Sequence, residues 1–208
     1  MEWSSIVGII LAALAAIGLP LALSKRKKAG PQKREELYQH LRKIGVEATL
    51  VERGAGDEKV GVTRAFGQRS EGIIQLGRQS IDSVKVISVA SQYGVSYFVD
   101  YLVKSPNITA KRAMKKTRSV RVKASALWGK ALAIEWRGDE SLARSLNFDY
   151  RLKDILQRAD SDPSSLKGSI WIFPEPSHGY ARIRTNYFLP SPEVFEGMNT
   201  IAKHVKSW

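Results

Sequence analysis

The sequence predicts an α+β chain in which an N-terminal single transmembrane helix leads into a small domain of mostly antiparallel β-hairpins covered by helices. Three observations carry this expectation. Residues 3–24 are one uncharged stretch of 22 residues, followed at once by four cations. Beyond it, β-branched and aromatic runs come in pairs around Gly-containing turns, which is a hairpin signal. Between and after those pairs, apolar residues recur at helical spacing. Hairpin-linked strands interleaved with helices imply an antiparallel sheet with helices laid on one face.

The first element is the stretch from Trp3 to Ser24. A hydrocarbon core of roughly 30 Å needs about 20 helical residues, so residues 1–24 are expected to form a transmembrane anchor. Trp3 suits a membrane interface, and Pro20 lies near the far end. A cleaved secretory signal competes for the same residues, but a signal wants a basic start, and here only Glu2 precedes the apolar run. A buried core helix fits poorly with 22 uncharged residues in a chain of 208. Lys25, Arg26, Lys27 and Lys28 open a basic juxtamembrane linker over residues 25–31. Cations sit on that flank alone, so the amino terminus is expected outside and residues 25–208 in the cytoplasm of a cell membrane.

Residues 32–208 read as the soluble α+β domain. Ala29-Gly30-Pro31 is expected to break the anchor helix. Leu37, Tyr38, Leu41 and Ile44 then mark a helix over 32–44 that packs on the domain or lies on the membrane surface. Residues 46–53 alternate as a strand. Residues 54–71 read as a loop with a short strand near Val60 to Thr63. Val84 to Val89 and Val95 to Val103 make a hairpin around Ser91-Gln92-Tyr93-Gly94. Val120 to Trp128 and Ala131 to Trp136 make a second around Gly129-Lys130. A helix is expected over 107–117 between them. Residues 139–159 are helical, with a break near Asn147, and Asp139-Glu140 favour the helix start. Ser169 to Phe173 and Tyr180 to Phe188 form a third strand pair. Ser191-Pro192-Glu193 opens the last helix, with Ser as cap and Pro at the first turn.

Composition excludes several function classes. The absence of Cys removes a disulfide framework, a thiolate zinc site, a Cys nucleophile and a lipid-modified Cys anchor. The chain contains no phosphate-binding loop, dinucleotide fingerprint, nucleophile elbow or metalloprotease motif, so no cofactor or metal is implied and no catalytic residue can be named. Within Pro174 to Arg184, the residues Glu175, His178, Arg182 and Arg184 could meet at a hairpin mouth. Turn chemistry explains them more simply, with Arg182 and Arg184 on one solvent-facing side of a strand and His178 dispensable. His40 and His204 fall on predicted helix surfaces without a nameable partner.

The formal net charge is +13, and it is concentrated. Residues 101–134 hold nine Lys and Arg and no Asp or Glu. Within the expected helix over 107–117, Lys111 and Lys115 are four apart, as are Arg112 and Lys116, which would make one cationic ridge. Arg121 and Lys123 are expected on the solvent face of the next strand. Lys25, Arg26, Lys27, Lys28, Lys111, Arg112, Lys115 and Lys116 are thus the candidate anionic-surface-binding residues. The function implied is a membrane-anchored binding or scaffolding module at the inner membrane face, meeting anionic lipid or an acidic protein partner. The alternatives are a tethered enzyme using the 174–184 hairpin, or a non-specific nucleic-acid-binding module.

Overall fold

A computed structural model describes residues 29–52, 54, 58, 67–109, 114–123, 131–160, 166 and 168–208. The expected anchor over 1–24, the cluster Lys25–Lys28, the strand near Val60 and the turn at Gly129-Lys130 lie outside the described residues. Among the described residues no helix is long and apolar enough to cross a membrane.

The described chain is α+β, as expected. Eight strands form one sheet in which every pair is antiparallel, in the order β1-β2-β3-β4-β8-β7-β5-β6. The strands are β1 Ala48–Leu50, β2 Gln68–Leu76, β3 Ser83–Ser91, β4 Gly94–Lys104, β5 Thr117–Lys123, β6 Ala131–Arg137, β7 Trp171–Glu175 and β8 Tyr180–Asn186. The first four form a meander. The β5–β6 hairpin then stands off by the width of two strands, and the β7–β8 hairpin fills that space from much later in the chain.

Strand β2 replaces the end of the expected loop. Its start, Gln-Arg-Ser-Glu-Gly, is polar, and a register shift between Ser70 and Gly72 breaks the two-residue alternation by which a strand is recognised. The β3–β4 hairpin turns where expected, closing on the Ser91–Gly94 pair. Gly94 there adopts φ +126°, a conformation that suits glycine.

Among the described residues, four helices cover one face. Residues 29–43 are helical (α1), followed by α2 Glu140–Phe148, α3 Tyr150–Asp160 and α4 Pro192–Ser207. The expected break at Ala29-Gly30-Pro31 is corrected, since all three are helical. Proline's fixed φ is itself helical. Gly30 lets this helix approach the sheet so closely that a Cβ would overlap the Glu71 carboxylate. Leu37 and Leu41 are fully buried, so α1 packs on its own domain. They join Val84, Val86, Val99, Tyr101, Ile172, Ile183, Leu142, Leu152, Met198 and Ile201 in one core between helices and sheet. Each such side chain contributes about 1.5–3 kcal/mol when fully buried.

The helical region over 139–159 divides at Asp149, two residues beyond the expected break at Asn147. Asp149 has extended backbone and accepts the Leu152 amide at 2.9 Å, capping α3. Asn147 instead lines the sheet edge. Its side chain accepts from the Trp136 amide and donates to the Trp136 carbonyl, both at 2.9 Å. The outward-facing backbone of edge strand β6 is thereby satisfied at that residue. Asp139 and Ser191 cap α2 and α4 as expected. Pro192 takes the first helical position of α4.

Candidate anion-binding face

Alternation along each strand sends one set of side chains to the helices and the other to the opposite face. On that opposite face, direct register partners line up across seven strands. From β2 to β6 the row is Ile73, Lys85, Asp100, Arg184, Trp171, Arg118 and Arg137. Four cations and one carboxylate therefore share a single transverse line. The neighbouring row adds Arg182, paired across to Phe173.

The middle of the face is a closed ionic cluster. Asp100 is fully buried and accepts from Arg184 at 2.6 Å (Nε) and 2.9 Å (Nη2), a two-pronged contact. Arg182 reaches the same carboxylate at 3.2 Å and donates to Glu175 at 2.7 Å. Phe173 lies 4.8 Å beneath the Arg182 guanidinium, and Phe98 lies 5.7 Å from that of Arg184. Burial opposes the charge of Arg184, but the hydrogen bonds and negative charge of Asp100 outweigh it and raise the guanidinium above its ordinary value.

Lys85 stands next to Asp100 and is itself fully buried, donating to the Glu58 carbonyl at 3.3 Å. Burial pulls its ammonium down to about 8, against the attraction of Asp100; Arg182 and Arg184 push the same way as burial.

The expectation that Arg182 and Arg184 face solvent is corrected here. Their side chains retain only 8% and 19% exposure. They do share one strand face, but β8 is a central strand, and Asp100 on its neighbour neutralises them. Of the residues expected to meet at the hairpin mouth, Glu175, Arg182 and Arg184 do come together. His178 does not: it is exposed on the turn, beside the Ser177 hydroxyl at 2.9 Å.

Toward β5 and β6 the same face opens. Lys116, Arg118, Arg137, Gly138 and Trp171 line a surface cavity of about 380 Å³. Gly138 (φ +141°) brings the end of β6 against the start of β5, where a Cβ would collide with the Lys116 carbonyl and the Thr117 backbone. Trp171 lies nearly parallel to Phe173, with centroids 5.9 Å apart and 13° between planes. Lys116 and Arg118 stand over the Trp171 ring at 5.7 and 5.2 Å. Arg137 pairs with Glu135 at 3.0 Å, both being well exposed. Among the described residues, no carboxylate pairs with Lys116 or Arg118.

The eight candidate residues fare unequally. Lys25, Arg26, Lys27, Lys28, Lys111 and Arg112 lie outside the described residues. Lys115 and Lys116 are exposed, but the helix expected over 107–117 is corrected: residues 107–109 and 114–116 are irregular and Thr117 already opens β5. The β-branched run Thr-Arg-Ser-Val-Arg-Val favours a strand, and its pairing with both β6 and β7 fixes it. Arg121 is also corrected. Its register partner is the buried Ile134, so it points to the helix-covered side and donates to the Leu166 carbonyl at 3.1 Å.

Two histidines have partners that lay far away in sequence. His40 Nε2 contacts the Pro190 carbonyl at 2.7 Å. His204 Nε2 contacts Asp149 at 2.9 Å, and its Nδ1 contacts the Ser145 hydroxyl at 2.6 Å. This last trio has the residue types of a hydrolytic triad, but Ser145 sits inside α2, whose amides are engaged along the helix and present no oxyanion donor. It fastens α2, α3 and α4 together. Burial resists ionisation of Asp149, yet the His204 and Leu152 hydrogen bonds prevail and hold its carboxyl below the usual value.

Sequence reasoning missed Lys85, Asp100, Arg137 and Trp171 as site residues. A usable signal was Asp100 itself, a lone carboxylate in an otherwise apolar central strand, which burial would require to be paired. Among the described residues, no group of three His, Asp or Glu could hold a metal ion. No protein family, curated protein or solved structure matches this chain.

Proposed function

We propose that this chain is a membrane-anchored binding module that engages a polyanion through the open, β5–β6 end of its sheet face. One observation carries the binding reading: Lys116 and Arg118, without a carboxylate partner among the described residues, flank Trp171 in an open cavity that Arg137 completes. Cations left uncompensated on one surface attract anions, whereas the buried cations beside them are already matched. The anchor reading rests on the 22 uncharged residues of 3–24 and the four cations after them, which also favour a cytoplasmic domain.

Retention of the full chain on heparin, in neutral detergent, tests the binding. Lys116→Glu/Arg118→Glu should elute at clearly lower salt than the wild type while melting at the same temperature. Unchanged elution would refute it. Orientation is tested separately, because the chain has no Cys. Single cysteines at Ser4 or Ser161, treated with an impermeant thiol reagent on intact cells, should label at Ser4 alone. Labelling at Ser161 alone would reverse the topology.

A further inference from the structure

We infer that the polyanion is single-stranded nucleic acid, with one base laid against Trp171 and its phosphates held by Lys116, Arg118 and Arg137. This rests on the polyanion reading above and names its ligand class. Charge alone would recruit any anion, but this cavity pairs its cations with an indole. Trp171 is half-buried and aligned with Phe173, so its ring is already oriented. A preoriented aromatic beside cations matches a ligand that carries a flat π surface and a phosphate on the same unit, because bases stack without regard to sequence and phosphates take the charge. The Arg118 guanidinium, 5.2 Å from the ring centroid, is planar and can both extend the stack and fork onto a phosphate.

Size and shape favour a single strand. A cavity of about 380 Å³ is at the small end of ligand sites, the scale of one nucleotide. Duplex reading uses an inserted helix or ribbon, and this feature is a recess on a sheet. An open recess without a glycine-rich phosphate cradle holds a lone nucleotide weakly, whereas a strand adds backbone contacts along the face.

A lipid surface fits less well. The three cations converge on one recess rather than spreading over a plane, and Glu135 stands at the rim beside Arg137. Among the described residues, the strongly exposed aromatics that would enter a bilayer are elsewhere: Tyr93 on the β3–β4 turn, and Phe148 and Tyr150 at the α2–α3 junction.

The test uses the full chain in neutral detergent with a fluorescein-labelled twelve-residue oligothymidylate, read by anisotropy. The expected result is preference for the single strand over a duplex of equal length. Trp171→Ala should weaken binding about tenfold, by loss of one stacked base. Trp171→Phe should keep most of the affinity, and its thermal melt guards against misfolding. Arg118→Glu, on the exposed rim, should weaken binding at unchanged melting temperature. Heparin retention with no oligonucleotide binding, or oligonucleotide binding indifferent to Trp171 and to strandedness, overturns the nucleic-acid assignment and leaves the polyanion reading standing. Displacement by phosphatidylglycerol vesicles but not by unlabelled oligonucleotide would assign the face to lipid. Loss of both heparin and oligonucleotide binding overturns both readings.

Discussion

The two ends of the transverse row are built from the same side chains and behave differently. Near β4 and β8, Lys85, Arg182 and Arg184 are buried around Asp100 and Glu175, and their charges are spent on one another. Near β5 and β6, Lys116, Arg118 and Arg137 are exposed, and only Arg137 has a carboxylate partner among the described residues. A basic residue is thus structural or available according to the strand next to it. The closed end also has a fold-level task. Asp100 and Arg184 stitch the N-terminal meander to the late β7–β8 hairpin, and slipping β8 by one residue against β4 would turn Arg182 and Arg184 toward the apolar core.

That contrast can be broken from either side. The largest effect is expected from Asp100→Ala, which leaves two guanidinium groups buried without their shared carboxylate. Loss of one partner of a buried pair costs about 3–5 kcal/mol, measurable by denaturant unfolding of the full chain. A loss below about 1 kcal/mol would mean that the cluster is effectively hydrated.

Lys85→Met should act in the opposite direction. Lys85 carries a fully buried ammonium whose burial outweighs the attraction of Asp100, and Arg182 and Arg184 keep Asp100 and Glu175 when it is removed. At pH 7 the variant should be more stable by about 1–3 kcal/mol, as replacements of buried charge by apolar groups often are. The advantage should disappear with alkali. The folded ammonium, near 8 where an ordinary lysine is 10.5, releases its proton before the unfolded one. Wild-type stability therefore gains on the variant as pH rises from 8 to 10.5. A pH-independent difference would show that Lys85 does not titrate in that window.

The smallest effect on stability belongs to the open end. Arg118→Glu should shift the unfolding free energy by no more than about 0.5 kcal/mol, because the side chain is exposed and its contact is a single ring. A loss comparable to that of Asp100→Ala would erase the distinction between the two ends.

The local parts of this molecule were legible from residues alone. The β3–β4 and β7–β8 hairpins, the Ser191 cap and the division of 139–159 into helix depend on neighbours a few positions apart, and such signals survive in a one-dimensional string. Strand β2 was not legible, because its bulge at Gly72 interrupts alternation and its pairing with β3 supplies what propensity does not. Alternation also revealed that Arg182 and Arg184 share a face, but not that the face is closed. That depends on Asp100, 82 residues from Arg182. The candidate cavity is the same case: Lys116 and Arg118 were visible as part of a basic run, while Trp171 and Arg137 reach them only through the β5–β7 and β5–β6 pairings. The charge surplus, the apolar amino-terminal stretch and the local turns follow from residue order alone. Which cations are neutralised and which remain open depends instead on strand order, and strand order is set by long-range pairing and shared burial rather than by spacing along the chain.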